Sequence, residues 1–579
     1  MFLKKHLLLI FFFLFHIITA QRFLNSDFEK VNDENLPLKW YLNGKNYLYE
    51  TDNIIKISGN KSLKVTSNSP KNTDFASFFC SIPTELFKGK ELRLVGKIKV
   101  QSTQNGNAGL WVRVNDANNK VLAFDNMSGK RITGNTDWTE ASITLKVNPD
   151  AEKIIIGGIS KGEGVAWFDD FKLFANNKPI EDISKKEKLT LEEADILKKY
   201  IYPLKTYDPD SKDNNDLKIL KKLIGNSKTV ALGEVTHGSS EIFKMKDRII
   251  RYLVPNEGFN LFSIEAAMPE SYQMNNYIID GKGSAKEYLN GMIFWTWKTN
   301  EILNMVEWMK QYNQSTDKKV YFSGFDMQSF TASINELKKQ FQNNPASLQK
   351  IEELNKLLEK IRNQFQNDKK QNIDQKDRDI INSIISEIKK DVENKGNNKD
   401  LAFIKQNIRI IEQYLDLNSI SRDKYMAENV LWIKNNNPDS KMILWAHNGH
   451  IDESRNNMGY FLSEQLGKDY LTFGFAFYSG RYTAKGDKGL STYDAQEAYL
   501  GSYEYFLNSL NEPYFILDIK KIKEDNNEKI KWIIEDLDLR RTGAVNHLNE
   551  FYPTDISKNF DYLIFINKSS NSVIFKQLN

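Results

Sequence analysis

The sequence predicts a multidomain protein: an N-terminal all-β jelly-roll sandwich, then a C-terminal α/β domain with a largely parallel sheet and a helical insertion. Three observations predict it. A chain of 579 residues and 67.2 kDa exceeds one ordinary core, so two or more domains are expected. Short runs rich in Val, Ile, Phe and Trp follow one another from residue 21 to about 175. From about 215 onward, helical periodicity alternates with short, fully apolar runs, the pattern of a parallel sheet covered on both faces.

Residues 1–20 read MFLKKHLLLIFFFLFHIITA. A positive start at Lys4 and Lys5, an apolar run from Leu7 to Ile18 and small residues before Gln21 form a secretory signal peptide. An exported protein, periplasmic or extracellular, is therefore expected. The run falls short of the ~20 residues a spanning helix needs, so no integral membrane segment is expected after cleavage. Cys80, the only cysteine, excludes an intrachain disulfide and reads as a core residue within FASFFCSIP.

Residues 21–175 carry the strand runs NIIKIS, SLKVTS, FASFFCSI, ELRLVGKIKVQS, GLWVRVN, ASITLKVN, EKIIIGGI and VAWFDDFKLF, separated by Gly, Asn, Asp and Pro. Their order resembles the jelly-roll modules often appended to secreted enzymes, with NSDFEKV opening and GVAWFDDFKLF closing the span. Many such modules bind carbohydrate, so the resemblance implies a glycan ligand. Trp40, Tyr41, Trp111 and Trp167 could stack on sugar rings, but most are expected in the core. Asp169 and Asp170 form a pair that could hold a structural calcium ion. Residues 176–189 are polar and aperiodic and contain Pro179, a linker, and Thr190 caps the helix that opens the domain 190–579.

In that domain the strands are TVALGE, FNLFSIEA, KVYFSGFD, KMILWAHNGH, YLTFGFAF and YFILDI, with helices such as IFKMKDRIIRYLV between them. Between about 331 and 420, Leu348, Ile351, Leu354, Leu358, Ile361 and Phe365, then Ile380, Ile381, Ile384, Ile385 and Ile388, recur at helical spacing. This insertion is expected to pack on itself and to bound the cleft as a cap.

Net charge is +4 with both signs interspersed, so no basic face supports nucleic-acid binding. The histidines carry the functional signal. There are six; two lie in the leader, and three of the other four fall in two motifs, GEVTHGSSE and WAHNGHI, each directly after an apolar run. Parallel strands present ligand sites beyond their carboxyl ends. Four such ends here bring Glu234 and His237, Glu265, Asp326 and Gln328, and His447 and His450. A carboxylate beside an imidazole fixes its tautomer and raises its basicity, which suits it to take a proton from water. No G-x-S-x-G elbow surrounds Ser239 and Ser240, so a serine nucleophile is not expected. Arg422 and Asp423 read as an ion pair holding a helix against the site. MIFWTWKTN and FGFAFYSGRY could line a cleft for a bulky ligand, and Arg540 and Arg541 could contact an anionic group.

The ordered motifs ALGEVTHGSSEIFKMKDRIIRYLV, FSIEA, TWKTNEILNMVEWMKQYN, VYFSGFDMQ, RDKYMAENVLWI and ILWAHNGHI together resemble the erythromycin esterase family from about residue 200 onward. The family includes enzymes that open macrolide lactones by hydrolysis. The resemblance implies a small-molecule ester or lactone substrate, with Glu234 and His237 as the acid–base pair and His237 activating water. It implies Glu265 as the acid of the next strand, and His447, Asn448 and His450 as its His-Asn-small-His motif. His447 or His450, helped by Lys246, would stabilise the oxyanion or protonate the leaving alcohol. Macrolide-opening members carry arginine where Lys246 stands, which weakens a macrolide substrate in particular. Lys246, Asp326, Arg422 and Asn448 are expected to contact substrate.

No cofactor is required by this chemistry. Two alternatives remain at this point: a divalent metal held by the same Glu/His cluster, although the spacing matches no standard zinc signature, and a non-catalytic glycan-binding protein.

Overall fold

The computed structural model describes residues 25–575 apart from 33, 70–71, 103–104, 117–118, 181–187, 369–372, 394–398, 418, 455, 535–536 and 548–549. The signal-peptide reading lies outside these residues, as do half of the linker and the side chain of Phe365.

Two antiparallel sheets face each other in the N-terminal region. One runs in the order Tyr41–Asn43, Phe75–Ile82, Lys153–Lys161, Asn107–Asn115, Val121–Asp125. The other runs Tyr47–Asp52, Ser62–Ser67, Val165–Ala175, Glu91–Gln101, Thr139–Lys146. Alternation along the strands sends Leu92, Leu94, Ile98 and Val100 inward from one sheet and Phe78, Cys80 and Ile82 inward from the other. Phe28, Trp40, Phe78 and Phe171 form an aromatic centre, with ring centroids 5.3–5.9 Å apart.

Trp40 and Trp167 are core residues whose ring N–H groups donate to Asn25 O and Asp52 Oδ2 at 2.9 and 2.8 Å. Trp111 stays half-buried against Phe79, and Tyr41 stacks on Tyr552 of the second domain at 5.0 Å. The Asp169–Asp170 pair does not stand open as a cation site. Asp169 accepts from Ile57 N, Ser58 N and Ser58 Oγ, and Asp170 pairs with Lys172, because the buried carboxylate is used to tie down a loop.

The second domain is built on a mixed sheet in the order Ile201–Pro203, Tyr514–Asp518, Tyr562–Ser569, Tyr470–Gly486, Thr229–Leu232, Lys441–Trp445, Phe259–Ala267, Tyr321–Asp326. The five pairings from Tyr562–Ser569 onward are parallel, and the two at the other edge are antiparallel. Apolar side chains leave both faces of these strands into two separate cores, which explains their lack of alternation. Thr190 forms the capping box of the first helix with Glu193. The helix Ser240–Glu257 starts at the Ser239 cap and stops at Gly258, whose φ of 74° is the left-handed turn that ends a helix.

The helices Thr331–Gln340, Pro345–Asp368, Gln375–Glu393 and Lys399–Leu415 bury Ile351, Leu354, Leu358, Ile381, Ile385 and Ile388 in a core of their own. The next helix, Ser419–Asn435, turns back: Met426 and Val430 join a core of the sheet, and Asn429 Nδ2 donates to Phe325 O at 3.0 Å. The insertion thus packs on itself, and its return helix delivers Arg422 and Asp423 to the strand ends.

Candidate active site

The strand Thr229–Leu232 is central and buried at every position. Beyond Gly233 its end carries Glu234, which has no solvent exposure, so its charge must be met internally. Both oxygens are met. His237 Nδ1 lies 2.7 Å from Oε1, and Lys246 Nζ donates to Oε2 at 2.7 Å. Lys246 comes from the helix that the same loop starts, and its ammonium sits 4.0 Å from the centroid of the Trp445 ring. Burial brings the Lys246 pKa down to about 8 against the opposing pull of Glu234. With Nδ1 turned to Glu234, His237 keeps Nε2 without a hydrogen-bond partner among the described residues, on a ring that retains some exposure.

A second charged cluster faces it. Glu265 ends its strand with Oε1 accepting from Arg422 Nη2 at 2.8 Å and lying 3.2 Å from His450 Nε2. Its Oε2 accepts from the His447 backbone N–H at 2.9 Å. Arg422 also donates to Asp326 at 2.7 Å. His450 Nδ1 lies 2.8 Å from Asp423 Oδ1, which accepts from Met458 N as well. Burial works against the charge on Glu265, but His450 and Arg422 outweigh it and hold the carboxyl well below its usual range. Burial likewise opposes the His450 charge, yet Glu265 and Asp423 push its pKa up to about 10. The ring is therefore an imidazolium near neutrality. Its Nε2–H points to Glu265, and Arg422 Nη1, 3.0 Å away, is a neighbouring donor held by the same carboxylates.

The sign of the His450 shift fixes a pH response. Its stabilising contribution is complete below pH 6.5, the value of the free side chain, and is lost as pH rises through about 10. Lys246 acts in the opposite sense between about 8 and 10.5, because its buried charge disfavours folding. Thermal melts of the wild type and His450→Gln across pH 6–10.5 are expected to converge at the alkaline end, the variant lacking the contribution the wild type loses. Parallel curves would contradict the assignment.

His447 plays a different part. Its Nδ1 accepts from Gly449 N at 3.1 Å, capping the short helix Asn448–Ile451, and its Nε2–H donates to Val235 O at 3.2 Å. Burial, with the Arg541 and His450 cations nearby, lowers its pKa well below the usual value, so it is a neutral ring spent on backbone. Its centroid lies 5.3 Å from that of His237 and 6.3 Å from that of His450. Imidazoles from two distant segments thus share one site.

Three residues expected to contact substrate are placed otherwise. Lys246 is fully buried behind Glu234. Asp326 is fully buried and held by Arg422, Gln328 and Met327 N. Asn448 bonds both ways to the Phe475 backbone, its Nδ2 donating at 2.8 Å and its Oδ1 accepting at 3.0 Å, which clamps the histidine turn to the neighbouring strand. Arg422 and Asp423 do not pair with each other; they reach Glu265 and His450 instead. Arg540 is buried against Glu550 and the carbonyls of Tyr478 and Gln496, so it offers no ligand contact, whereas Arg541 is exposed. Among the described residues no group of three or more His, Cys, Asp or Glu side chains is arranged to hold a metal ion.

The Asn448 clamp explains the glycine that ends the first strand. A Cβ on Gly233 would come within 2.2 Å of Asn448 Oδ1. Gly233→Ala is expected to cost about 1–3 kcal/mol by overpacking. Chemical denaturation of the variant checks this, and an unchanged midpoint would refute it.

A family model described as Erythromycin esterase matches residues 254–569 of the chain. The chain belongs to the erythromycin esterase family. Erythromycin esterase type II of Escherichia coli is 24% identical over 421 residues, spanning 64% of this chain and 96% of that protein. A Bacillus cereus protein of known structure is 27% identical with a TM-score of 0.58, covering 66% of this chain and 99% of its own. The structure of an erythromycin esterase variant in its open conformation is 19% identical with a TM-score of 0.50, covering 63% and 96%, a likeness of fold.

The esterase-family match contains Glu265, Asp326, Arg422 and the His447–His450 motif but begins after Glu234 and His237. That pair is placed in the site by the geometry. Two aromatic neighbours of the candidate site were not named individually from the sequence, although Trp297 lies in the MIFWTWKTN run read as able to line a cleft. Trp297 lies 6.3 Å from the His237 ring, and Trp445 underlies Lys246. Both occur in apolar runs where a ring that borders a site looks the same as one in a core.

Proposed function

We propose that this hydrolase of the erythromycin esterase family is an exported enzyme that opens an ester or lactone by direct attack of water, with no covalent intermediate. The observation that supports this most is the 2.7 Å Glu234–His237 contact, which leaves Nε2 unpartnered for a water molecule. In the proposed step His237 takes one proton, and the oxygen so released bonds to the carbonyl carbon. The tetrahedral intermediate then expels the alkoxide, which takes the proton carried by His237, and the acid product ionises, while the His450 imidazolium, bonded to Asp423 and Glu265, holds the second cluster in place. His447 positions the strand ends, and Lys246 holds Glu234. The sandwich is proposed to bind a glycan beside this hydrolytic domain.

The test is a panel of esters and lactones, macrolides included, with wild type and His237→Ala. Turnover that depends on His237, survives chelator and shows no acyl-enzyme burst supports the reading. Loss of activity on chelation would favour metal-assisted hydrolysis, and a wild type inert on the whole panel while binding glycan would favour a non-catalytic role.

A further inference from the structure

An ester hydrolase needs a donor at the point where the carbonyl oxygen becomes an oxyanion, and such donors are among the largest contributors to rate. The side chains around His237 do not leave one free. His447 spends its Nε2–H on Val235 O. His450 directs its N–H groups to Asp423 and Glu265. Lys246 is sealed behind Glu234, and Arg422 is forked between Glu265 and Asp326.

One cation beside this cluster is uncommitted. Arg541 makes no side-chain hydrogen bond or ion pair among the described residues and is exposed. Its position is nevertheless set by the backbone around it. Arg541 N donates to Glu550 O at 2.6 Å, and Thr542 N and Oγ1 both donate to Val235 O at 3.0 Å. His237 N donates in turn to Gly543 O at 3.1 Å, so the strand end that carries Arg541 is stitched to the loop that carries His237. The guanidinium lies against the histidine turn. A Cβ on Gly449 would meet Arg541 Nη2 at 2.4 Å, and a Cβ on Gly543 would stand 3.9 Å from His447 Nε2. The small residue between Asn448 and His450 is therefore the space the guanidinium occupies.

We infer that Arg541 is the oxyanion donor of this site, its N–H groups receiving the carbonyl oxygen of the ester as water activated by His237 attacks. The inference rests on the hydrolytic reading above. When water adds, the carbonyl π pair moves to oxygen and is stabilised by the guanidinium; it returns when the alkoxide leaves. A planar fork of donors suits this role better than a point charge, so lysine is a poor replacement.

The test compares wild type, Arg541→Lys and Arg541→Ala on the best ester found, with a phosphonate analogue of that ester as inhibitor. The alanine variant is expected to lose about 10²–10³-fold in kcat with KM within a few fold of wild type. Affinity for the phosphonate should fall in step with kcat/KM, millimolar guanidinium should restore part of the rate, and the lysine variant should fall between the two. A kcat within a few fold of wild type, or a loss confined to KM, overturns the assignment while leaving ester hydrolysis intact. A wild type that hydrolyses no ester overturns both readings. Because the side chain is exposed, melting temperatures should not move, and an unfolded alanine variant would itself contradict the uncommitted role.

Discussion

Replacing His237 by alanine is expected to lower kcat by about 10²–10⁴-fold, the range for loss of a general base, with KM close to that of the wild type. Nδ1 is bonded to a buried carboxylate, so the neutral ring carries its proton there and keeps its lone pair on Nε2. Removing the ring leaves Glu234 still paired with Lys246, so the fold should persist and the loss should be chemical. Glu234→Gln should lower kcat by the same route, because an amide cannot stabilise the imidazolium that forms. The double variant should be little worse than His237→Ala alone, since the two side chains act as one unit. Steady-state kinetics with circular dichroism as a folding control decides it. A His237→Ala enzyme within a few fold of wild type would remove the base from the mechanism.

Replacing Glu265 by alanine is expected to be the most destabilising single change in the site, by about 3–5 kcal/mol. Glu265 is 5% exposed and is bonded by Arg422, His450 and the His447 backbone N–H. Its removal leaves two buried cations with fewer carboxylates and one backbone donor without a partner. Asp326 still holds Arg422 and Asp423 still holds His450, so the cost should stop short of unfolding the domain. At about 2.1 cal/mol/K per residue, a domain of about 390 residues moves by roughly 1 °C per kcal/mol, so a downward shift of the α/β transition by several degrees should be visible in calorimetry. The sandwich transition should stay in place and serve as an internal reference. Restoring stability with a second change, Arg422→Met, would show that the penalty is orphaned charge; a double variant worse by the sum of the two would refute it.

Much of the site was legible because parallel strands place chemistry at their ends. Glu234, His237, Glu265, Asp326, His447 and His450 each follow an apolar run, and each run is a strand of one sheet. Their partners were harder to read. Arg422 and Asp423 are adjacent, and adjacent opposite charges suggest a pair, but consecutive residues on a helix do not face each other. Each therefore reaches a separate acceptor supplied by another segment. Lys246 was expected at substrate because arginine stands there in macrolide-opening members. The helix carries it into the interior, where a buried carboxylate competes for it.

Composition, periodicity and the order of motifs determined by themselves that a β-sandwich precedes an α/β domain, and that two histidine motifs close two strands of one sheet. These are local properties of the chain: alternation, fully apolar runs and capping residues act over a few positions. Which imidazole is charged, which is neutral and which keeps a free nitrogen was decided only by the tertiary structure. That choice depends on carboxylates and carbonyls brought within about 3 Å from segments hundreds of residues apart, where removal from water makes each such contact count.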